Sequence, residues 1–464
     1  MDGPTKRRLV LGFLSNWVSK LAGTLIQLVQ VPVFLHFWSM PLYGEWMIVN
    51  SIPTYLSFSN FGFGSVAGNE MTMMVAREDR QGALRVFQSC WWLIAIICTG
   101  MIIVLSGSLY YIPAARLLKL THISESDTKW IIFYLGVAVL LGQLEQLLQS
   151  AYRCIGRYPF GSFLKSMLSL GAFAAMIVSV TLGSGVRTAA LVYAAANLVG
   201  TVVQSIMVRR DIPWIEFGWR HASFVEIRRL APMAFAFLGF PAGNALNLQG
   251  TLLAVGYALG PVAVVVFGTA RTVSRVALQM VSMVNGTFEP ELSIAFGARN
   301  YDLTRRLQRR ACQFALIIAL AVVIAMMAAG PWFLTHWTGG HVPPSRGLLS
   351  ILLIVVILYS LWSTSSTLLT ATNQHQRLAT YFIFGTSATC VLCFFMAKAY
   401  GLYGAATSLL LSEIVMNVYV LPASLRIAHD TFPAFIASML DYPQFLRPAA
   451  LLARIRRSQP GLES

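Results

Sequence analysis

Apolar stretches of about twenty residues follow one another along most of this chain, separated by short polar links. They fall at 10–37, 44–72, 86–112, 130–151, 162–183, 188–208, 230–257, 262–290, 311–333, 348–371, 378–397 and 403–422. About twenty residues of helix, rising ~1.5 Å each, cross the ~30 Å of a bilayer's hydrocarbon core. No water is available there to pair backbone N–H and C=O groups, so spans of this kind read as α-helices. The pattern predicts an all-α polytopic membrane protein with about twelve transmembrane helices.

Composition agrees. Of 464 residues, 56% are hydrophobic and 11% charged, whereas a soluble chain carries charge on about a quarter of its residues. Net charge is +16, and its placement decides its meaning. Arg77, Arg80 and Arg85, Arg153 and Arg157, Arg209, Arg210 and Arg220, and Arg305, Arg306, Arg309 and Arg310 all fall in alternate links, on the side of the N-terminus. The opposite links hold only Arg116, Lys119, Lys129, Arg187, Arg346 and Lys398. That bias, roughly four to one, places both termini in the cytoplasm and requires an even number of spans. Basic residues used in this way argue for membrane topology and against a nucleic-acid partner.

The longest basic link, 209–229, divides the spans six and six, and its Trp214, Phe217 and Trp219 suit a membrane interface. The halves echo each other at an offset of about 221 residues, a parallel repeat because each has an even number of spans. The organisation expected is a six-helix lobe over 1–208, a cytoplasmic interfacial linker over 209–229, a second lobe over 230–422 and a basic cytoplasmic tail over 423–464. Within that tail, 446–457 has the mixed apolar and basic pattern of a short surface helix on anionic lipid, with an unstructured basic tail as the equal alternative. Lys6, Arg7 and Arg8 precede a first apolar run too long for the core of a cleaved signal peptide.

Ionisable residues inside spans point to function, because each charge at mid-membrane costs about 2.5–3.5 kcal/mol if it faces lipid. In span 8, Arg271, Arg275, Ser282 and Glu289 stay within about 40° of one line down the helix, flanked by Gln279 and Asn285. In span 1, Asn16, Lys20, Gln27 and Gln30 share a face, and span 7 adds Asn244, Asn247 and Gln249. These stripes predict a polar cavity whose cations receive an anionic group, with Arg271 and Arg275 able to grip a phosphate. The plainer alternative pairs the cations with buried carboxylates as helix-to-helix struts. The candidate substrate-binding set is Lys20, Arg271, Arg275, Asn16, Gln27, Asn244, Asn247 and Gln279.

Glu145, Glu289 and Glu413 are candidates for ion coupling, with interhelical polar contacts through the pairs Glu145–Gln149 and Glu413–Asn417 as the alternative. Glu45, Glu70 and His122 are expected to be solvated, and His36, His336, His341 and His375 lie at interfaces or in loops without metal-ligand spacing. Cys390 and Cys393 have C-x-x-C spacing inside a span, where two small packing residues are a better reading than a redox or metal pair. No Walker lysine accompanies the glycine-rich stretches, so ATP is not the direct energy source. No cofactor, metal or catalytic residue is expected, and the protein is not read as an enzyme.

Several segments taken together resemble the multidrug/oligosaccharidyl-lipid/polysaccharide (MOP) flippase superfamily, and within it the bacterial O-antigen and exopolysaccharide flippases. They are Leu42-Tyr43-Gly44-Glu45-Trp46, Asn60-Phe61-Gly62-Phe63-Gly64, Gly260-Pro261 with Phe267 to Arg271, and Tyr400 to Ala406 leading into Ser412-Glu413. The resemblance covers about residues 9–422 and rests on the order of degenerate motifs. It implies two six-helix lobes in a V around a central cavity, alternating access, and a home in the bacterial inner membrane. It further implies a polyprenyl-pyrophosphate-linked oligosaccharide as cargo, held by Lys20, Arg271 and Arg275, with membrane lipids around it and the glycosyltransferases and polymerase of the same pathway as partners. Where many relatives carry an acid, this chain has Asn60, which puts ion coupling there in doubt. Two other readings stay open: a cation-coupled multidrug or small-molecule exporter, and a membrane-embedded glycan polymerase or ligase. The last would need a large external loop, and the longest here is Pro113 to Lys129.

The topology is testable directly. A reporter enzyme active only outside the cytoplasm should be active when fused within 113–129 and silent within 211–223; the reverse result would invert the assigned orientation.

Overall fold

The computed structural model describes residues 21–440 apart from 61, 238, 298 and 373–375. Among these residues the structure is all-helical. The candidate positions Asn16 and Lys20, the tail segment 446–457 and His375 lie outside the described residues.

Each expected span has a helical counterpart. α1 (Leu21–Phe37) is followed by α2 (Met40–Ser51), a 3-10 turn (Pro53–Asn60) and α3 (Phe63–Ala76), and then by α4 (Arg80–Tyr111) and the short α5 (Ala114–Leu117). α6 (Glu125–Cys154), α7 (Tyr158–Thr181) and α8 (Val186–Asp211) are long and continuous. Span 7 comprises α9 (Phe224–Phe237) and, after residue 238, α10 (Gly239–Ala245), which runs on through a π-helical turn (Leu246–Gly250) into α11 (Thr251–Leu259). α12 (Pro261–Gly297), α13 (Tyr301–Trp337), α14 (Arg346–Ala371) and α15 (Gln376–Ile427) complete the spans, and α16 (Phe432–Leu440) ends the described chain. Eight of these helices are long and apolar enough to cross a membrane by themselves.

The breaks have local causes. Span 2, expected as one helix, is interrupted at Gly62, whose φ of 81° only glycine adopts without strain. α15 holds spans 11 and 12 in one run, with Gly401 (φ 61°, ψ −146°) as the joint between them. α6 shows the opposite case, an uninterrupted helix about 45 Å long. The Ser124 side chain caps its start by accepting from Asp127 N, Glu125 and Asp127 lie in its first turn and Arg153 in its last, all matched to the helix dipole.

The described residues pack as two compact units. Those up to Val276, with Ala325–Leu353 and Ala379–Ser412, form the first; Ala277–Ile324, Ile354–Leu378 and those from Glu413 onward form the second. In the first unit, α6 lies among α3, α4, α7 and α8. Its apolar core joins Phe63, Val66, Met71, Phe87, Ile94, Leu140, Leu147 and Tyr152. Small residues set the approach of α3 to α6. A side-chain carbon on Gly68 would lie 2.7 Å from Ser150 Oγ, and that hydroxyl donates to Gly64 O at 3.0 Å. Within lipid such close van der Waals and polar contacts replace the hydrophobic effect as the source of helix association.

The link 209–229 clasps the start of α4. Gln88 donates to Glu216 O and accepts from His221 N, while Ser89 accepts from Ser223 N. Phe217 packs edge-on against Phe87 and Trp91, and Trp219 lies against Trp92 while staying mostly exposed. Arg229 bridges Glu226 and Glu70.

Glu45 departs from expectation. Instead of being solvated it is fully buried, and it accepts backbone N–H bonds from Thr121, His122 and Ile123 at 2.6, 2.9 and 2.7 Å. His122 Nδ1 lies 3.2 Å from the same carboxylate, so His122 also has a partner. A buried carboxylate is tolerated when several donors converge on it, and the link between α5 and α6 supplies them. The same link sets Lys119 4.0 Å over the Tyr257 ring of α11. Beside Glu45, Gly44 touches the start of α12, where an added side-chain carbon would lie 2.1 Å from Pro261 O. Trp337 ties α13 to α1 by donating to Leu28 O at 2.7 Å.

In the second unit, Ala277, Val281, Ala315, Ala319 and Val356 form one apolar cluster. Phe435 of α16 seats against Cys312 and Leu425. Arg309 makes a two-pronged pair with Asp430, itself 3% exposed.

Gly44→Ala should destabilise the fold by at least about 2 kcal/mol, because backbone lies in the way and cannot yield as a side chain would. Thermal unfolding of the detergent-purified variant measures this, and an unchanged midpoint would refute the contact.

Candidate functional site

The polar positions of span 7 gather where its backbone is least regular. Pro232 within α9 and Pro241 within α10 can donate no backbone hydrogen bond. Four residues after Ala242 the chain widens into the π-helical turn Leu246–Gly250. Such a turn disturbs the regular carbonyl ladder, and inside a membrane displaced carbonyls must find other donors.

Arg271 supplies them from α12. Its Nη2 donates to Asn247 O at 2.9 Å and to Asn247 Oδ1 at 2.5 Å. Its Nη1 donates to Thr251 Oγ1 at 2.6 Å and to Leu248 O at 3.3 Å. The Thr251 hydroxyl lies 2.6 Å from Asn247 O, and Cys390 Sγ of α15 lies 3.1 Å from Leu246 O. The Phe267 ring, one turn before Arg271, flanks the guanidinium at 5.8 Å. Arg271 is 7% exposed. Its planar fork and five N–H groups suit it to several acceptors at once, which an ammonium could not meet in one plane.

The geometry therefore places Arg271 and Asn247 of the candidate set together, as a brace across the π-turn. Arg275, one turn further on, is half-buried, as is Gln279, which belongs to the second unit. Asn244 and Gln27 are exposed. Asn285 of the flanking pattern donates to Ser363 Oγ at 3.0 Å. Thr251, Phe267, Cys390 and Tyr55 belong to the brace or its surroundings and were absent from the sequence-based set. Thr251 is four residues from Asn247, on the same helical face, which is the one signal that could have drawn it in.

The C-x-x-C pair is part of the same packing. Both thiols are free, with Cys390 against Leu246 O and Cys393 3.9 Å from Thr251 O. Gly250 allows the approach: a side-chain carbon there would lie 2.6 Å from Cys390 Sγ and 3.3 Å from Tyr55 Oη.

The three candidate carboxylates differ. Glu289 is exposed. Glu413, 5% exposed, accepts from Trp362 Nε1. Asn417 engages the backbone O of Glu413 and crosses to Leu358 O, so it joins helices without touching the carboxylate. Glu145, 6% exposed, lies 2.9 Å from the Thr201 hydroxyl on α8. Among the described residues no group of three His, Cys, Asp or Glu side chains could hold a metal ion.

No protein-family model and no curated protein matches the chain. Solved structures do. An inward-facing multidrug resistance MATE family transporter of the MOP superfamily aligns over 91% of this chain and 98% of its own, with a TM-score of 0.70 and 16% identity. An outward-facing structure of such a transporter aligns over 91% and 96%, with a TM-score of 0.64 and 16% identity. A MOP superfamily transporter from Pyrococcus furiosus, described as having a binding pocket of reverse polarity, aligns over 91% and 96% at 0.62 and 15%. The chain thus shares the fold of these multi-pass membrane proteins over about nine-tenths of its length. These likenesses overturn the expected lipid-linked oligosaccharide flippase, since they fall on MATE multidrug transporters.

Gly250→Ala should cost about 1–3 kcal/mol by overpacking the π-turn against Cys390. Adding Cys390→Ala to that variant should restore much of the loss, measured as recovery of the thermal midpoint; no recovery would show that the thiol is not the obstruction.

Proposed function

We propose that this chain is a cation-coupled exporter of small amphiphilic molecules in a bacterial inner membrane. The observation that carries the reading is the fold likeness to MATE multidrug transporters over nine-tenths of the chain. Two features of the residues support it. The cation at Arg271, which on sequence favoured an anionic cargo, spends its donors on Asn247, Leu248 and Thr251. And two carboxylates, Glu145 and Glu413, are buried inside spans, where an ionisable group is costly unless it has a task.

Alternating access in such folds needs little chemistry from the protein: a cavity opens to one side and then the other, and a bound cation biases which. Arg275, Asn244 and Gln27, the half-buried or exposed members of the polar stripes in the first unit, are proposed to meet the cargo. Arg271 is proposed to fix the backbone beside them.

Transport into sealed vesicles tests the reading. Purified protein in liposomes, with a proton or sodium gradient imposed, should move a cationic dye such as ethidium or an anionic one such as carboxyfluorescein several-fold faster than protein-free vesicles. Movement of neither dye under either gradient would refute it.

A further inference from the structure

A cleft of about 330 Å³ opens in the first unit where α1 and α13 both end. Its walls carry three imidazoles: His36 near the end of α1, His336 in the last turn of α13 and His341 in the link that follows. Phe37 and Trp337 supply apolar surface between them. The described residues that line the cleft include no lysine, arginine or carboxylate. It therefore offers neither a fixed positive charge for an anion nor the oxygen-rich shell that calcium or magnesium needs. Neutral imidazole is instead the ligand of borderline divalent ions such as zinc, nickel and copper.

His336 is already set for that task. Its Nδ1 lies 2.9 Å from Trp332 O. A carbonyl can only accept, so in the neutral ring the hydrogen sits on Nδ1 and Nε2 keeps its lone pair. Metal-ligating histidines show the same arrangement, one nitrogen donating to an oxygen acceptor while the other binds the ion. The Trp332 ring, 4.6 Å away between centroids, steadies the imidazole further.

His36 and His341 are exposed, and among the described residues neither ring makes a hydrogen bond. As placed, the three rings do not converge on one point. A sphere of 330 Å³ is only about 8.5 Å across, however, and a zinc–imidazole bond is about 2.0–2.1 Å long. Rotation of the two exposed rings about their own side-chain bonds brings them toward His336. The backbone that carries them is held in place. Gly340 N donates to Thr335 O at 2.7 Å, closing the turn after α13, where Gly339 and Gly340 have φ of 59° and 78°. Trp337 Nε1 donates across to Leu28 O of α1. Spacing along the chain hides the group, because His36 belongs to a different span from the other two.

We propose that His36, His336 and His341 form a site for one borderline divalent metal ion, which ties α1 to α13. Water completes the fourth position of a tetrahedral shell. Bound there, the ion adds coordinate bonds between two spans that Trp337 already joins by one hydrogen bond. The site stands independently of the exporter reading, since neither its residues nor its test involves cargo.

Zinc chloride added to the detergent-purified chain tests the site by two readouts. The thermal midpoint should rise by several degrees in zinc and stay unchanged in magnesium, because an ion that binds only the folded form stabilises it. His336→Gln should remove the rise. Diethylpyrocarbonate, which acylates unprotonated imidazole, locates the site on the unaltered protein, with mass spectrometry reading each histidine. Zinc should lower modification of His36, His336 and His341 together several-fold. It should leave His221, exposed on the link 209–229, as reactive as before. No rise in the midpoint, a rise of undiminished size in His336→Gln, or equal modification of the three with and without zinc would overturn the inference.

Discussion

The structure depends on one constraint, that a backbone carbonyl inside hydrocarbon must have a donor. Most of the chain meets it with unbroken helix, as in α6, α7 and α8. Span 7 does not, and the exception organises its neighbours. The π-turn at Leu246–Gly250 replaces the regular i→i+4 ladder, and α12 supplies Arg271 and α15 supplies Cys390 as further donors to its carbonyls. Three helices are thereby fixed around a segment that would otherwise be unstable in lipid. An arginine at this depth is costly in isolation; bound to four acceptors, it offsets that cost where a broken helix needs it.

The same logic explains Glu45. A carboxylate without water is expensive until donors surround it, and the backbone N–H groups of Thr121, His122 and Ile123 lie in the link just before α6, outside any helical ladder. The acid satisfies those donors and the donors stabilise the acid. Gly44 next to it leaves room for the start of α12. One short stretch, Tyr43-Gly44-Glu45-Trp46, thus holds both a loop and a neighbouring helix in place.

The helices were readable in the sequence because their cause is local: length, apolarity and charged links report directly on the bilayer. The link between spans 11 and 12 was legible as the Gly401 region for the same reason. The break in span 2 and the π-turn in span 7 were not, since a glycine at positive φ and a π-turn leave only scattered Gly and Pro behind. Arg271 stood out in the sequence by its cost, yet its task was hidden, because two of its four partners are backbone carbonyls, which carry no sequence signal. Glu45 was misjudged for a related reason: proximity to a span end predicted water, while the donors that replaced water came from a loop seventy-odd residues away. The cargo class was misjudged because the motifs used belong to a fold shared by several kinds of transporter.

The central claim is that Arg271 and the π-turn stabilise each other. A double-mutant cycle on unfolding free energy, using Arg271→Met and Thr251→Val singly and together, measures it most directly. Mutual satisfaction predicts a coupling of about 1–3 kcal/mol between the two sites. Additive effects, within about 0.5 kcal/mol, would contradict the account.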